Sequence, residues 1–206
     1  MKTFALAMTG ASGAIYGIRL MEQILNAGHR LYLMISEPGR MVVSMETDLK
    51  LPASSTAIQS YLTEYFSARD GQLQVFGKSQ WTAPIASGSN VPDAMVICPC
   101  TSGTLAAIAT GASRTLLERA GDVMIKEQRK LILVPREMPF SGIHLEHMLR
   151  LSRLGVMIMP ACPGFYQNPE SVMDLVDFVV ARVLDQLGVD QSLLPRWGME
   201  DLDDRD

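Results

Sequence analysis

The chain has 206 residues, 48% of them hydrophobic and 19% charged, which supplies apolar side chains for a substantial core and excludes global disorder. A net charge of −4 and a pI near 5.4 argue against nucleic acid or an anionic membrane as the main partner, and no apolar run approaches the roughly 20 residues that cross a bilayer. Three cysteines give no disulfide framework, and the N-terminus runs from one lysine straight into a strand pattern rather than a signal peptide, so the cytoplasm is expected.

In chain order, Thr3–Thr9 (TFALAMT) reads as a buried strand, followed by the glycine-rich turn TGASG and the amphipathic helix IYGIRLMEQILNAG, which ends at Gly28. Arg30–Ser36 (RLYLMIS) is the second strand. AIQSYLTEYFS predicts a helix, and residues 68–90 read as a long surface loop carrying a short strand. Three more apolar strands follow at Asp93–Cys100 (DAMVICPC), Lys130–Arg136 (KLILVPR) and Val156–Ala161 (VMIMPA), each leading into a helical stretch. Continuous apolar strands alternating with helices predict a doubly wound, mainly parallel α/β sheet, Rossmann-like or flavodoxin-like. One domain over residues 1–198 and an acidic, solvated tail over residues 199–206 complete the expected layout.

In such sheets ligands lie at the carboxyl ends of the strands. Here those ends read TGAS (9–12), SEPGR (36–40), CPCTSGT (98–104), PREMPF (135–140) and PACPGFY (160–166). A helix opening offers free amides and the positive end of its dipole to an anion, with Thr9 and Ser12 as further hydroxyl donors. Gly10, Gly13 and Gly17 are spaced Gly-x-x-Gly-x-x-x-Gly, unlike the dinucleotide fingerprint. The turn somewhat resembles that of short-chain dehydrogenases, but no tyrosine has a lysine four residues on, which weakens hydride transfer; tight packing without a ligand is the plain structural alternative. CPCTSGT repeats the design with Thr101, Ser102 and Thr104 around Gly103, so the two turns suit one mononucleotide. Cys98 and Cys100 occupy alternate strand positions pointing the same way, with nothing nearby to complete a metal site, and read as buried thiols. His29, His144 and His147 form no metal or catalytic signature and default to packing or surface roles. A cationic set remains in an acidic protein, Arg114, Arg119, Lys126, Arg136 and Arg182, together with Tyr166; each cation taken singly reads as a solvated face. Arg136 and Glu137 at a strand end offer an anion ligand beside a proton carrier.

Taken together, TGASGA, SMETD (44–48), CPCTSGTL, LVPRE (133–137), PGFY (163–166) and PRWG (195–198) closely resemble the flavin prenyltransferases, the UbiX-type flavoproteins, from about Lys2 to Gly198. The resemblance implies transfer of a prenyl group from dimethylallyl monophosphate to N5 and C6 of reduced FMN, with the prenylated FMN passed to a UbiD-type decarboxylase. It also implies a homododecamer with sites at subunit interfaces. Carried over by position, Gly10, Ala11, Ser12, Ser36, Thr101, Ser102, Gly103, Thr104 and Arg136 would bind FMN, with Ser12 close to N5. Lys126, Tyr166 and Arg182, with Arg119 as a weaker candidate, would hold the prenyl phosphate. Glu46 and Glu137 would be acid–base carboxylates. No metal is implied, and a metal-free allylic ionisation suits cationic donors in a dry pocket. Trp81 or Trp197 would shield the developing cation, ordinary packing being the alternative for each. Which of Ser87, Gly88 and Ser89 line the prenyl pocket stays open. Two other readings stand beside this one: an FMN-dependent cysteine decarboxylase, disfavoured because no histidine lies between His29 and His144, and a passive FMN-binding carrier, which would not need Lys126, Glu137, Tyr166 and Arg182 together.

Overall fold

The computed structural model describes residues 1–195; Trp197 and the acidic tail lie outside the described residues. Six strands, β1 (Thr3–Met8), β2 (Arg30–Ile35), β3 (Leu73–Phe76), β4 (Ala94–Cys100), β5 (Lys130–Pro135) and β6 (Met157–Ile158), form one sheet in the order β3-β2-β1-β4-β5-β6. Every neighbouring pair is parallel. This is the doubly wound order, in which the chain reverses its direction of travel between β1 and β4 and leaves a crevice at their carboxyl ends.

Helices cover both faces because the strands are apolar on both. Phe4, Leu6 and Met8 of β1 join one core with α1 (Ala14–Asn26), α3 (Ser55–Tyr65) and α7 (Val172–Leu187). Ala5 and Ala7 point the other way, into a second core with α4 (Ser102–Ala109), α5 (Leu116–Lys126) and Leu151 of α6 (Gly142–Arg153). The helices start where side chains satisfy their first amides. Thr115 with Glu118, Ser141 with His144, and Ser171 with Asp174 each form a reciprocal capping box. Arg19 of α1 reaches Asp177 of α7 at 2.7 Å, and this half-buried pair locks the two helices side by side.

SEPGR stands at the end of the second strand as expected and also opens α2 (Glu37–Glu46), with Ser36 as N-cap accepting from the Gly39 amide at 3.0 Å. Three expectations change. The sixth strand keeps only Met157–Ile158 of the expected run, since it lies at the sheet edge and has one neighbour. The 68–90 segment contains the expected short strand, β3, but is no free loop: Ala83 and Ile85 are buried in the second core, around short 3₁₀ turns at Pro84–Ala86 and Gly88–Asn90. Cys98 and Cys100 are buried thiols, yet they do not share a face. Cys98 joins the first core and Cys100 the second, because the β4–β5 register shifts between Ile97 and Cys100 and breaks the two-residue alternation.

Candidate active site

The crevice is built from three strand ends stitched together. The buried Thr9 hydroxyl donates to the Pro99 carbonyl at 2.8 Å and accepts from the Thr101 amide at 2.8 Å, so the turns after β1 and β4 are one unit. That hydroxyl is spent on the scaffold and is not the ligand donor expected from the sequence. Arg136, at the end of β5, donates from Nε to the Ser12 carbonyl at 3.1 Å and adds the third strand end. Gly10 permits a further approach: a Cβ there would lie 2.5 Å from the Pro38 side chain, so its absence lets the β1 turn rest on the start of α2. Gly13 holds φ 106°, a left-handed conformation that glycine adopts at little cost, and aims α1 away from the turn.

The N-terminus of α1 is already met by an anion of the protein itself. Glu46, at the end of α2, accepts from the Gly13 and Ala14 amides at 2.8 Å each. Partial burial pushes the Glu46 carboxyl up, but the Ser12 hydroxyl, those two amides and nearby Arg136 together outweigh it and leave its pKa below the ordinary glutamate value. The residue expected as an acid–base group is thus held ionised as an anchor for α1 and an acceptor that orients Ser12. Among the described residues, no carboxylate bonds to the opening of α4. Thr101 caps that helix, its Oγ accepting from the Thr104 amide at 3.1 Å and donating to the Thr104 hydroxyl at 2.9 Å. Ser102 and Gly103 contribute the first two amides, which have no intrahelical partner by geometry. Next to it, a cavity of about 350 Å³ is lined by Ser36, Pro38, Phe76, Lys78, Thr104 and Thr115. Lys78 was not foreseen; its signal is its place just after β3, beside Gly77.

Glu137 follows Arg136, but among the described residues no ion pair joins them; the Glu137 carboxylate accepts from the Met138 amide at 3.2 Å. The remaining expected residues fall into two groups, Arg119 with Lys126 and Tyr166 with Arg182. Arg119 and Lys126 lie on α5, which packs in the second core, whereas Arg182 lies on α7, in the first. Tyr166 stacks edge-on against Phe178 of α7 and, with Arg182, Asp185 and Gln191, lines an open cavity of about 1080 Å³. One chain therefore places Lys126 and Arg182 on opposite faces of its sheet. Each cation also carries a carboxylate partner: Arg119 with Asp122 at 2.7 Å, Lys126 with Glu127, and Arg182 with Asp185 at 2.7 Å. The i,i+3 spacings of the first and third pairs were readable in the sequence; the second was not. Trp81 is 48% exposed, an apolar ring that this chain leaves uncovered.

Comparison with known proteins places this architecture. The Flavoprotein family model matches residues 1–184. The flavin prenyltransferase UbiX of Pseudomonas aeruginosa is 58% identical over 197 residues, covering 96% of this chain and 94% of that protein. Among solved structures, AnUbiX (PadA1) in complex with FMN and dimethylallyl pyrophosphate is similar with a TM-score of 0.84 and 35% identity, over 96% of this chain and 97% of that one. A dodecameric FMN-dependent UbiX-like decarboxylase from Escherichia coli O157:H7 superposes with a TM-score of 0.81 at 41% identity, over 95% and 98% of the two chains. A parallel sheet with a crevice at its β1/β4 reversal, in a sequence this similar over nearly its whole length, makes the chain a member of the flavoprotein family and, within it, of the UbiX-type flavin prenyltransferases.

Proposed function

We propose that the chain transfers a dimethylallyl group from dimethylallyl monophosphate to reduced FMN and passes the prenylated flavin to a UbiD-type decarboxylase. The observation that carries this reading is the crevice, where Thr9 and Arg136 tie the β1, β4 and β5 ends into one rigid cradle. A flavin mononucleotide fits the residues present. Its phosphate suits the Thr101–Thr104 opening of α4 and Ser36; Gly10, Ala11, Ser12 and Arg136 border the space for the rings; and the adjoining cavity of about 350 Å³ lies in the range of small-molecule sites. When bound in its reduced form, FMN would supply the electron-rich N5 and C6, which bond to C1 and C3 of the allyl unit.

The protein's own task is to make phosphate depart and to manage the protons of ring closure. Lys126, Tyr166, Arg182 and Arg119 hold the donor's phosphate and neutralise the charge that grows as the C–O bond breaks. Because these residues lie on opposite faces of the sheet, the phosphate site is completed by neighbouring copies, in keeping with the dodecamer seen for the E. coli relative. Ser12, whose hydroxyl bonds to Glu46, would lie close to N5 of the bound flavin. Glu137 or the released phosphate handles the protons: N5 and C6 each lose one, and the allyl C2 gains one so that C3 can bond C6. The monophosphate donor follows the sequence reading, in which cationic side chains rather than a metal hold its phosphate. No described helix is long and apolar enough to cross a membrane, and a cytoplasmic location follows the sequence reading.

The test is anaerobic incubation with reduced FMN, dimethylallyl monophosphate and excess chelator, followed by mass analysis of the flavin. A flavin heavier by one C5H8 unit is expected. Unchanged flavin that remains bound contradicts the reading and points to a carrier; carbon dioxide released from a cysteinyl substrate points to the decarboxylase.

A further inference from the structure

Lys126 is the last residue of α5, and its ammonium is paired with the carboxylate of the next residue, Glu127. Adjacent side chains on a helix diverge, so such a pair forms only where the helix stops. Glu127 is the C-cap, at φ −89° and ψ 6°. The pair is half-exposed, the Lys126 and Glu127 side chains being 44% and 36% accessible, and on its inner side it lies against the backbone of Gly88. A Cβ on Gly88 would fall 1.9 Å from Glu127 Oε1, 2.6 Å from its Cδ and 2.7 Å from Lys126 Nζ. Gly88 is not among the residues with positive φ, so this position demands missing volume and not conformational freedom. Nor can the segment retreat. Ile85 is 1% exposed in the second core, and Arg119 Nε donates to the Ala86 carbonyl at 3.1 Å, fastening the segment to α5.

Resting on the reading of Lys126 as a phosphate ligand, we infer that Glu127 and Gly88 are positioning residues for its ammonium: the carboxylate fixes Nζ against the Ser87–Asn90 backbone, and the bare Cα leaves the space the pair occupies. A lysine side chain has four rotatable bonds, and one held in place before the donor arrives loses less freedom on binding it. Of Ser87, Gly88 and Ser89, it is Gly88 that shapes the donor site through Lys126. Ser87 and Ser89 instead engage each other, their hydroxyls 3.1 Å apart.

The experiment measures KM for dimethylallyl monophosphate, and inhibition by inorganic phosphate, at saturating reduced FMN. In Gly88→Ala the added carbon must push aside the ends of two flexible side chains, which moves Nζ from its place without straining the backbone. A KM increase of several-fold is expected, with phosphate inhibition weakened by the same factor and FMN binding unchanged. Glu127→Ala raises KM several-fold, and Glu127→Gln, which keeps an oxygen acceptor, recovers most of the loss. In a Lys126→Ala background neither substitution changes KM further, because the group they position is gone. Wild-type KM in Gly88→Ala and Glu127→Ala, with Lys126→Ala impaired, overturns the inference; so does an undiminished effect added on top of Lys126→Ala. A Lys126→Ala variant with wild-type KM removes the phosphate assignment itself. Should Gly88→Ala fail to fold and retain FMN, the Glu127 series decides alone.

Discussion

Removing the Glu46 carboxylate tests whether this residue anchors α1. In Glu46→Ala the Gly13 and Ala14 amides lose an acceptor at 2.8 Å each, and the positive end of α1 loses its counter-charge. Loss of a helix-capping acceptor costs about 1 kcal/mol, and a charge at a helix N-terminus contributes about 0.3–1 kcal/mol. Glu46 is largely exposed, so solvent screening keeps the second contribution near its lower bound, and the sum is about 1–1.5 kcal/mol. For a domain of this size that lowers Tm by about 2–6 °C. The pH dependence follows from the direction of the shift. A carboxyl whose folded pKa lies below its unfolded value stabilises the protein above the ordinary glutamate pKa of 4.5, and the contribution fades as pH falls through the depressed value. Thermal unfolding of wild type and variant, followed by circular dichroism from about pH 7 down to about pH 3.5, therefore shows a constant gap near neutrality that closes below about pH 4.5. Equal Tm values at neutral pH, or a gap that persists at the acid end, would refute the anchoring role.

Two further outcomes follow from packing. Gly17→Ala should lower Tm by about 4–8 °C, because its Cβ would fall 2.5 Å from the Cys98 carbonyl oxygen. Overpacking against immovable backbone costs up to about 3 kcal/mol and outweighs the gain of about 1 kcal/mol from alanine's helix propensity; a raised Tm would show that the contact yields. Among the thiols, Cys162 is exposed while Cys98 and Cys100 are buried, and desolvation pushes Cys98 up strongly and Cys100 to about 12. A disulfide reagent at about pH 8 should thus label one thiol per native chain and the other two only after denaturation. Fast labelling of all three would contradict the burial of β4.

The alternation of apolar strands with amphipathic helices made the doubly wound sheet readable, since period and length are local properties of the chain. What escaped was set by neighbours distant in sequence. Ser36-Glu-Pro-Gly reads equally as a loop or a helix opening, and only the Ser36 cap and the Pro38–Gly10 contact decide for a helix. Thr9 looked like a ligand donor until β4 placed Pro99 and Thr101 beside it. The same-face expectation for Cys98 and Cys100 failed at a register shift that no single-strand pattern reveals. At the site, the resemblance supplied the hydroxyl, amide and cationic residues proposed for two anions. The division of Lys126 and Arg182 between faces needed the sheet, because nothing in the spacing of two helices tells which core each will cover.

That division also provides the most direct test of the site. Lys126→Ala and Arg182→Ala chains are each expected to turn over poorly at low dimethylallyl monophosphate. Co-expressed with different affinity tags and purified as mixed oligomers, they should regain a measurable part of wild-type turnover, because some donor sites then draw an intact Lys126 from one copy and an intact Arg182 from another. Mixed oligomers as inactive as either parent would mean that both cations serve one site from a single chain, or that one of them serves none.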